Sequence, residues 1–350
     1  MIDLLQAHTV DIYSLKDKEF KLGRVLARKL ITFDRFDLFA KIAYIKYRRT
    51  NPEYAIRIYS NHIKAFNPDL KEPGRKDKNG IEDFIVAFDK LIDHFKEFEF
   101  DKNISLIPVS ESGEILDGSH RVAALAYFNK KVDIIKFKGV QPVATFNYVY
   151  FIKKGLPINI ADLITYEGIH FSNDTYVACL WPKLGSKKNR FFALNYFNEH
   201  FQILYIKNAK MSLKNLGVFM YEIYKHQEWV GTNKDGFAGS RDKALKCFGG
   251  NKLTQFIIFK SSSLEKVLKA KETIRSHYNL EKHALHITDN DEETKEIAEL
   301  IFIDKKYTLP SGINRFFERV NEFISVFKNV YMINLKVGVA KFLKRIKLYK

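Results

Sequence analysis

The chain has 350 residues, 46% of them hydrophobic, and a formal net charge of +17. That length and apolar content can bury a sizeable core, as two domains or one large one, which excludes a disordered chain. Cys179 and Cys247 lie far apart without metal-binding spacing, and no stretch approaches the ~18 uninterrupted apolar residues of a membrane span, so a disulfide scaffold and a membrane-spanning protein are excluded as well.

The basic excess admits nucleic acid, an anionic substrate or an anionic membrane surface as partner. A lysine-rich, glycine-poor composition produces the same charge with no selected partner. The first residues lack the basic, apolar and small-residue succession of an export signal, and a cytoplasmic protein is expected.

In chain order, residues 20–63 read as mostly helical, with Phe36, Phe39, Ala40, Ile42 and Ala43 at helical spacing. A charged, turn-rich loop leads into residues 81–98, an amphipathic helix that turns Phe84, Ile85, Phe88, Leu91, Ile92 and Phe95 inward, toward a sheet. That sheet is expected to contain residues 104–109, a hairpin-like piece at 111–116, and residues 132–137. Residues 147–153 read as a further strand, and 159–185 have no assignable fold. Strand 253–259, helix 263–275, strand 284–287 and helix 292–301 predict a parallel βαβ arrangement. The fold class is therefore mixed α/β (α+β). Its parts are an N-terminal helical extension (1–60), a core (60–150), an unassigned region (151–250), an α/β unit (251–310) and a basic amphipathic helix (311–350).

Asp117-Gly118-Ser119-His120-Arg121 joins the strand at 104–109 to a helix of small residues starting at Val122. Such a corner suits phosphate. Gly118 allows close backbone approach, the first turn of the helix offers N–H groups at the positive end of its dipole, and Arg121 adds a fork of donors. The plain structural reading is a turn in which Asp117 caps the helix and His120 packs inside.

The run IPVSESGEILDGSHRVAALAYFNKKV resembles the nucleotide-binding core of the ParB/sulfiredoxin-like superfamily, which includes ParB N-terminal domains, sulfiredoxin and free-serine kinases. The resemblance covers about a quarter of the chain and implies that Gly118, Ser119, His120 and Arg121 bind nucleotide phosphates and that Asp117 contacts nucleotide or metal. Ser119 stands where sulfiredoxin carries its cysteine nucleophile, which excludes repair of overoxidised cysteine, since a hydroxyl cannot replace the thiol in that chemistry. The arginine-rich box and helix-turn-helix of ParB are not found. The nearest chemistry is a kinase using ATP or ADP with Mg²⁺ on a small hydroxyl compound or sugar, with His120 and Arg121 at the transferred phosphate. Glu72, upstream of the core like the catalytic glutamate of the serine kinases, is the implied base; Glu111 and Glu114 are alternatives, and Lys76 and Lys78 are candidate γ-phosphate contacts. The whole chain is also similar to ParB-like proteins of bacterial surface-polysaccharide gene sets.

Elsewhere, His286 and Asp289, at the end of a C-terminal strand, are expected to border a substrate crevice, with Asp289 and Glu292 marking the next helix start. His283 and His286 fall on opposite faces of that strand, which disfavours a shared metal. Gly249 to Lys252 lacks the strand-to-helix setting of a phosphate loop, and Ser240 with Arg241 reads as a surface loop able to meet an anion. Residues 336–350 hold six basic residues and no acid, with Val339, Phe342, Leu343 and Ile346 on one face, which suits an anionic membrane at the inner face of the bilayer. Two other functions stay open: a nucleotide-sugar-dependent glycosyltransferase and a CTP-responsive, ParB-type DNA-binding protein.

Overall fold

The computed structural model describes residues 1–71 and 79–304. The first half runs α1 (Ala7–Tyr13), β1 (Phe20–Leu26), α2 (Phe36–Tyr47), α3 (Pro52–Phe66), α4 (Ile81–Glu97), β2 (Ile107–Val109), α5 (Ser119–Tyr127) and β3 (Lys131–Phe137). Its sheet has the order β1-β3-β2, with β1 antiparallel and β2 parallel to β3. Thus β2, α5 and β3 form a parallel βαβ unit with the Asp117 to Arg121 corner between its strand and helix. Residues 110–114 form a tight turn in which Ser110 N–H donates to the Glu114 carbonyl, and Val109 bridges to Ile115.

β1 corrects the helical reading of residues 20–63. Its seven residues pair with β3 from Phe20↔Phe137 to Leu26↔Lys131, and that distant partner supplies the hydrogen bonds. The same span does contain α2 and α3, the latter opened by an Asn51 cap that accepts from Tyr54 N–H, with Pro52 at its first position.

Every residue from Phe36 to Ile45 is buried, so α2 is a central helix packed on α3 and α5. The inward face of α4, with Phe84, Phe88, Ile92 and Phe95 buried, meets helices where a sheet was expected: Phe88 stacks on Tyr59 at 5.4 Å and on Tyr44 at 5.5 Å. On the other side of the sheet, Ile135 and Phe137 pack with Val10 and Leu15 of the N-terminal segment.

The second half runs α6 (Tyr148–Lys153), α7 (Ile158–Phe171), β4 (Thr175–Leu180), α8 (Lys187–His200), β5 (Gln202–Lys210), α9 (Leu213–Tyr224), α10 (Ala238–Cys247), β6 (Leu253–Lys260), α11 (Leu264–Tyr278), β7 (Leu285–Ile287) and α12 (Asp291–Ala298). α6 replaces the strand expected at 147–153, because the Asn147 side chain accepts from Tyr150 N–H and starts a helix. The sheet order is β5-β6-β4-β7, all neighbours antiparallel. β6 and β7 therefore run parallel, joined by α11 as expected, but β4 lies between them. With α9 and α10 set aside as an insertion, this is the βαββαβ connectivity of a split βαβ, or ferredoxin-like, sheet. Ala193 and Phe197 of α8 and Val267, Ala270 and Ile274 of α11 cover one face. Against the other, α7, α9 and α12 carry a core continuous with that around α2 and α5.

Candidate functional site

Gly118 caps α5 in the left-handed conformation, φ 85° and ψ 25°. A side chain there would clash as well as strain the backbone, since a Cβ would stand 2.6 Å from Ile107 Cδ1 and 2.8 Å from Arg121 Nη2. The first helical rung is Val122 N–H to the Gly118 carbonyl at 3.0 Å, so the amides of Ser119, His120 and Arg121 precede the ladder. Val122 to Ala126 are buried, and their small side chains let α5 pack closely on α2.

Arg121 Nη2 lies 3.5 Å from Asp117 Oδ2, both side chains half-buried. Burial lowers the pKa of Arg121 and Asp117 opposes that shift; a guanidinium remains charged at neutral pH. His120 turns inward, its Nε2 2.9 Å from the Tyr59 hydroxyl and its ring edge-on to Phe88 at 4.7 Å. The imidazole thus anchors the first turn of α5 in the aromatic cluster, as the structural reading of the corner anticipates.

Behind the corner is a buried charge cluster. Arg35 donates from Nε and Nη2 to the two Asp37 carboxylate oxygens at 2.8 and 2.9 Å, and Lys41 Nζ donates to Asp37 Oδ2 at 3.0 Å. Burial alone would raise the Asp37 pKa, but Arg35 and Lys41 outweigh it and hold the carboxyl well below its usual range. Arg35 Nη1 also donates to the Ile115 carbonyl at 2.7 Å, which fixes the strand end leading into Asp117, and it lies within electrostatic reach of Asp117 itself. Around the corner, then, the three cations Arg35, Lys41 and Arg121 face the carboxylates Asp37 and Asp117, with the carboxyl groups of Glu114 and Asp34 also close by, in a poorly solvated place where charge interactions are strong. His62, fully buried against Phe151 and Tyr59, is held neutral chiefly by burial.

These charges carried a readable signal. Arg35, Asp37 and Lys41 interrupt a helix that is apolar on every side, with Asp37 and Lys41 at the i, i+4 spacing that lets side chains meet.

Glu114 sits on the turn before the corner, half-buried. Burial first, then the neighbouring Asp34 carboxylate, raises its pKa, against the pull of Arg35. Asp34 Oδ2 accepts from Gln202 Nε2 of β5 at 2.8 Å, tying the corner to the second sheet. Glu111 is exposed and accepts from Gly139 N–H at 3.1 Å. Glu72, Lys76 and Lys78 lie outside the described residues, as does the basic run at 336–350.

His286 is buried on β7, its Nε2 2.9 Å from Glu293 Oε1 and its ring edge-on to Tyr224. Asp289 accepts from Lys271 Nζ at 2.6 Å. The helix cap stands one residue later than expected, at Asn290, which accepts from Glu293 N–H. Both His286 and Asp289 belong to the β7 edge, three strands or ~14 Å from β5 by the usual strand spacing, so the structure does not bring them to the corner. His283 lies in the turn before β7, with Nδ1 3.8 Å from Cys247 Sγ. Ser240 and Arg241 are spent on carbonyls of their own loop, Phe237 and Asp235. Gly249 is needed because a Cβ would stand 2.3 Å from the Pro182 carbonyl oxygen.

Among the described residues no group of three or more His, Cys, Asp or Glu side chains could hold a metal ion by itself. Mg²⁺ in phosphoryl-transfer sites takes one or two carboxylates and completes its shell with phosphate oxygens and water. No described helix is long and apolar enough to cross a membrane. No family model matches the chain, and no curated protein matches its sequence.

Proposed function

We propose that the chain is a phosphotransferase that moves the terminal phosphoryl group of ATP or ADP to a hydroxyl of a small compound or sugar, as its resemblance to the ParB/sulfiredoxin-like kinases implies. The observation that carries this reading is the glycine-capped helix start with a guanidinium held over it: Gly118 in the left-handed conformation, amides that precede the helix ladder, Arg121 half-buried beside Asp117, and Arg35 behind them. Such preorganised donors suit a nucleotide phosphate and need no reorganisation as charge develops.

In this mechanism Arg121 and the amides at the start of α5 hold the phosphates, and Asp117 would hold Mg²⁺, which supplies charge neutralisation when bound. Arg35 positions the corner through Ile115 and Asp37. The acceptor oxygen bonds to phosphorus as the bridging P–O bond breaks, and the hydroxyl proton passes to a carboxylate. Glu72 has that role by resemblance. Glu114 is the carboxylate that the described residues set beside the corner, and its raised pKa makes it a better proton acceptor. The reading includes a cytoplasmic setting, with residues 336–350 as an attachment to anionic lipid and surface-polysaccharide synthesis as its context.

Calorimetric titration with Mg²⁺ and ATP, ADP, CTP, nucleotide sugars and duplex DNA tests the reading. Adenine nucleotide should bind to the wild type and at least tenfold more weakly to Arg121→Ala. Glu72→Gln and Glu114→Gln should keep that binding, and the one that removes the base should lose turnover. Absence of nucleotide binding, or binding indifferent to Arg121, overturns the proposal; selective binding of a nucleotide sugar, or of CTP with duplex DNA, turns it toward the two other functions.

A further inference from the structure

β1 is an outer strand of the first sheet, and among the described residues β3 is its one strand partner. It is seven residues long and exposed from Phe20 to Arg24, with Phe20 37% and Leu22 54% accessible. Lys138 N–H donates to the Glu19 carbonyl and Ala27 N–H to the Lys130 carbonyl, so the odd-numbered residues of β1 are the ones bonded to β3. By the alternation of an antiparallel ladder, Phe20, Leu22, Arg24 and Leu26 then point their backbone N–H and C=O groups away from β3, toward the open side. A long edge of this kind with exposed apolar side chains is a template for a further strand.

The strand is complementary to itself. Two copies laid antiparallel about Gly23 set Phe20 opposite Leu26 and Leu22 opposite Arg24, so every outward-facing residue meets another and the two exchange hydrogen bonds. Between them, Lys21 falls opposite Val25 and Gly23 opposite its own copy. The strand carries two cations, yet neither lies opposite a like charge, which would oppose pairing. The same register extends the apolar face. Phe20 and Leu22 share a face with their β3 partners Phe137 and Ile135, which pack with Val10 and Leu15, and Leu26 of the second copy would stand beside Phe20.

From this self-complementarity we propose that the partner of β1 is a second copy of this chain, in a two-fold dimer whose sheets join into one, in the order β2-β3-β1-β1-β3-β2. The interface is isologous, the same strand serving both sides, so it closes after two copies and does not propagate into a fibre. It uses no residue of the Gly118 corner and stands independently of the nucleotide reading.

Sedimentation velocity of the full chain over a hundredfold range of concentration tests it. The wild type should pass from monomer to dimer. Leu22→Lys sets a cation opposite Arg24 of the second copy and Leu22→Glu a carboxylate, so the Glu variant should dimerise at least fivefold more tightly than the Lys variant, by a margin that shrinks in high salt. Leu22→Lys/Arg24→Glu should restore the dimer that Leu22→Lys weakens. Leu22→Pro removes an outward N–H and leaves the β3 ladder its own donors, so it should be monomeric with a thermal midpoint near that of the wild type. If Leu22→Pro fails to fold, the charge comparison decides alone. A wild type that stays monomeric at every concentration, equal weakening by the Lys and Glu variants, or a folded Leu22→Pro that dimerises as tightly as the wild type overturns the proposal.

Discussion

Replacing Gly118 with alanine should both destabilise the protein and disable the corner. The left-handed conformation costs an alanine about 1–2 kcal/mol. The new Cβ would also stand 2.6 Å from Ile107 Cδ1 and 2.8 Å from Arg121 Nη2, and relieving such overpacking costs about 1–3 kcal/mol. Together these predict a loss of about 2–5 kcal/mol, or roughly 3–7 °C in thermal midpoint for a chain of this size. The two parts can be separated. Ile107→Val removes the clashing Cδ1, so in a double-mutant cycle it should relieve the Gly118→Ala variant, whereas alone it costs about 0.5–1.5 kcal/mol. Urea unfolding of the four proteins should show a coupling of about 1 kcal/mol. The residual loss in the double variant is the backbone term together with the displacement of Arg121, so its nucleotide affinity should stay low. A Gly118→Ala protein that unfolds at the wild-type urea midpoint, or a cycle with no coupling, would refute the argument that the corner needs glycine for both conformation and space.

Asp37→Asn removes the carboxylate shared by Arg35 and Lys41 and leaves two buried cations uncompensated, with an expected loss of about 3–5 kcal/mol in denaturant unfolding at pH 7. Because the folded-state pKa of Asp37 lies below its unfolded value of ~3.9, its contribution is complete above about pH 4 and fades as pH falls toward the folded value. The gap between wild type and variant should therefore be constant from pH 7 to 5 and narrow only below about 4; a gap that closes near neutrality would show that Asp37 is not the depressed group. Arg190 is buried and donates to the carbonyls of Leu180, Trp181 and Leu253, locking the start of α8 to the end of β4 and the start of β6. Arg190→Met, which keeps the bulk and removes the donors, should cost about 2–4 kcal/mol in the same assay, and a loss under 0.5 kcal/mol would mean that water replaces the guanidinium.

What could be read from the chain alone were features set by near neighbours in sequence. The helix at α4 follows from the spacing of Phe84, Phe88, Ile92 and Phe95, α11 from its Ser263 start, β6 from its apolar run, and the corner from a glycine between a short strand and a run of small residues. The misread segments depended on something else: β1 is a strand because β3 offers it a ladder, and α6 is a helix because one Asn147 side chain caps what looks like a strand. Only the tertiary structure placed β4 between β6 and β7, buried Arg35, Asp37 and Lys41 behind Gly118, and brought Gln202 to Asp34 and so one sheet to the other. Periodicity, caps and turn glycines act within a turn or two of chain, whereas strand pairing and the compensation of buried charge are settled between residues that meet only when the core closes.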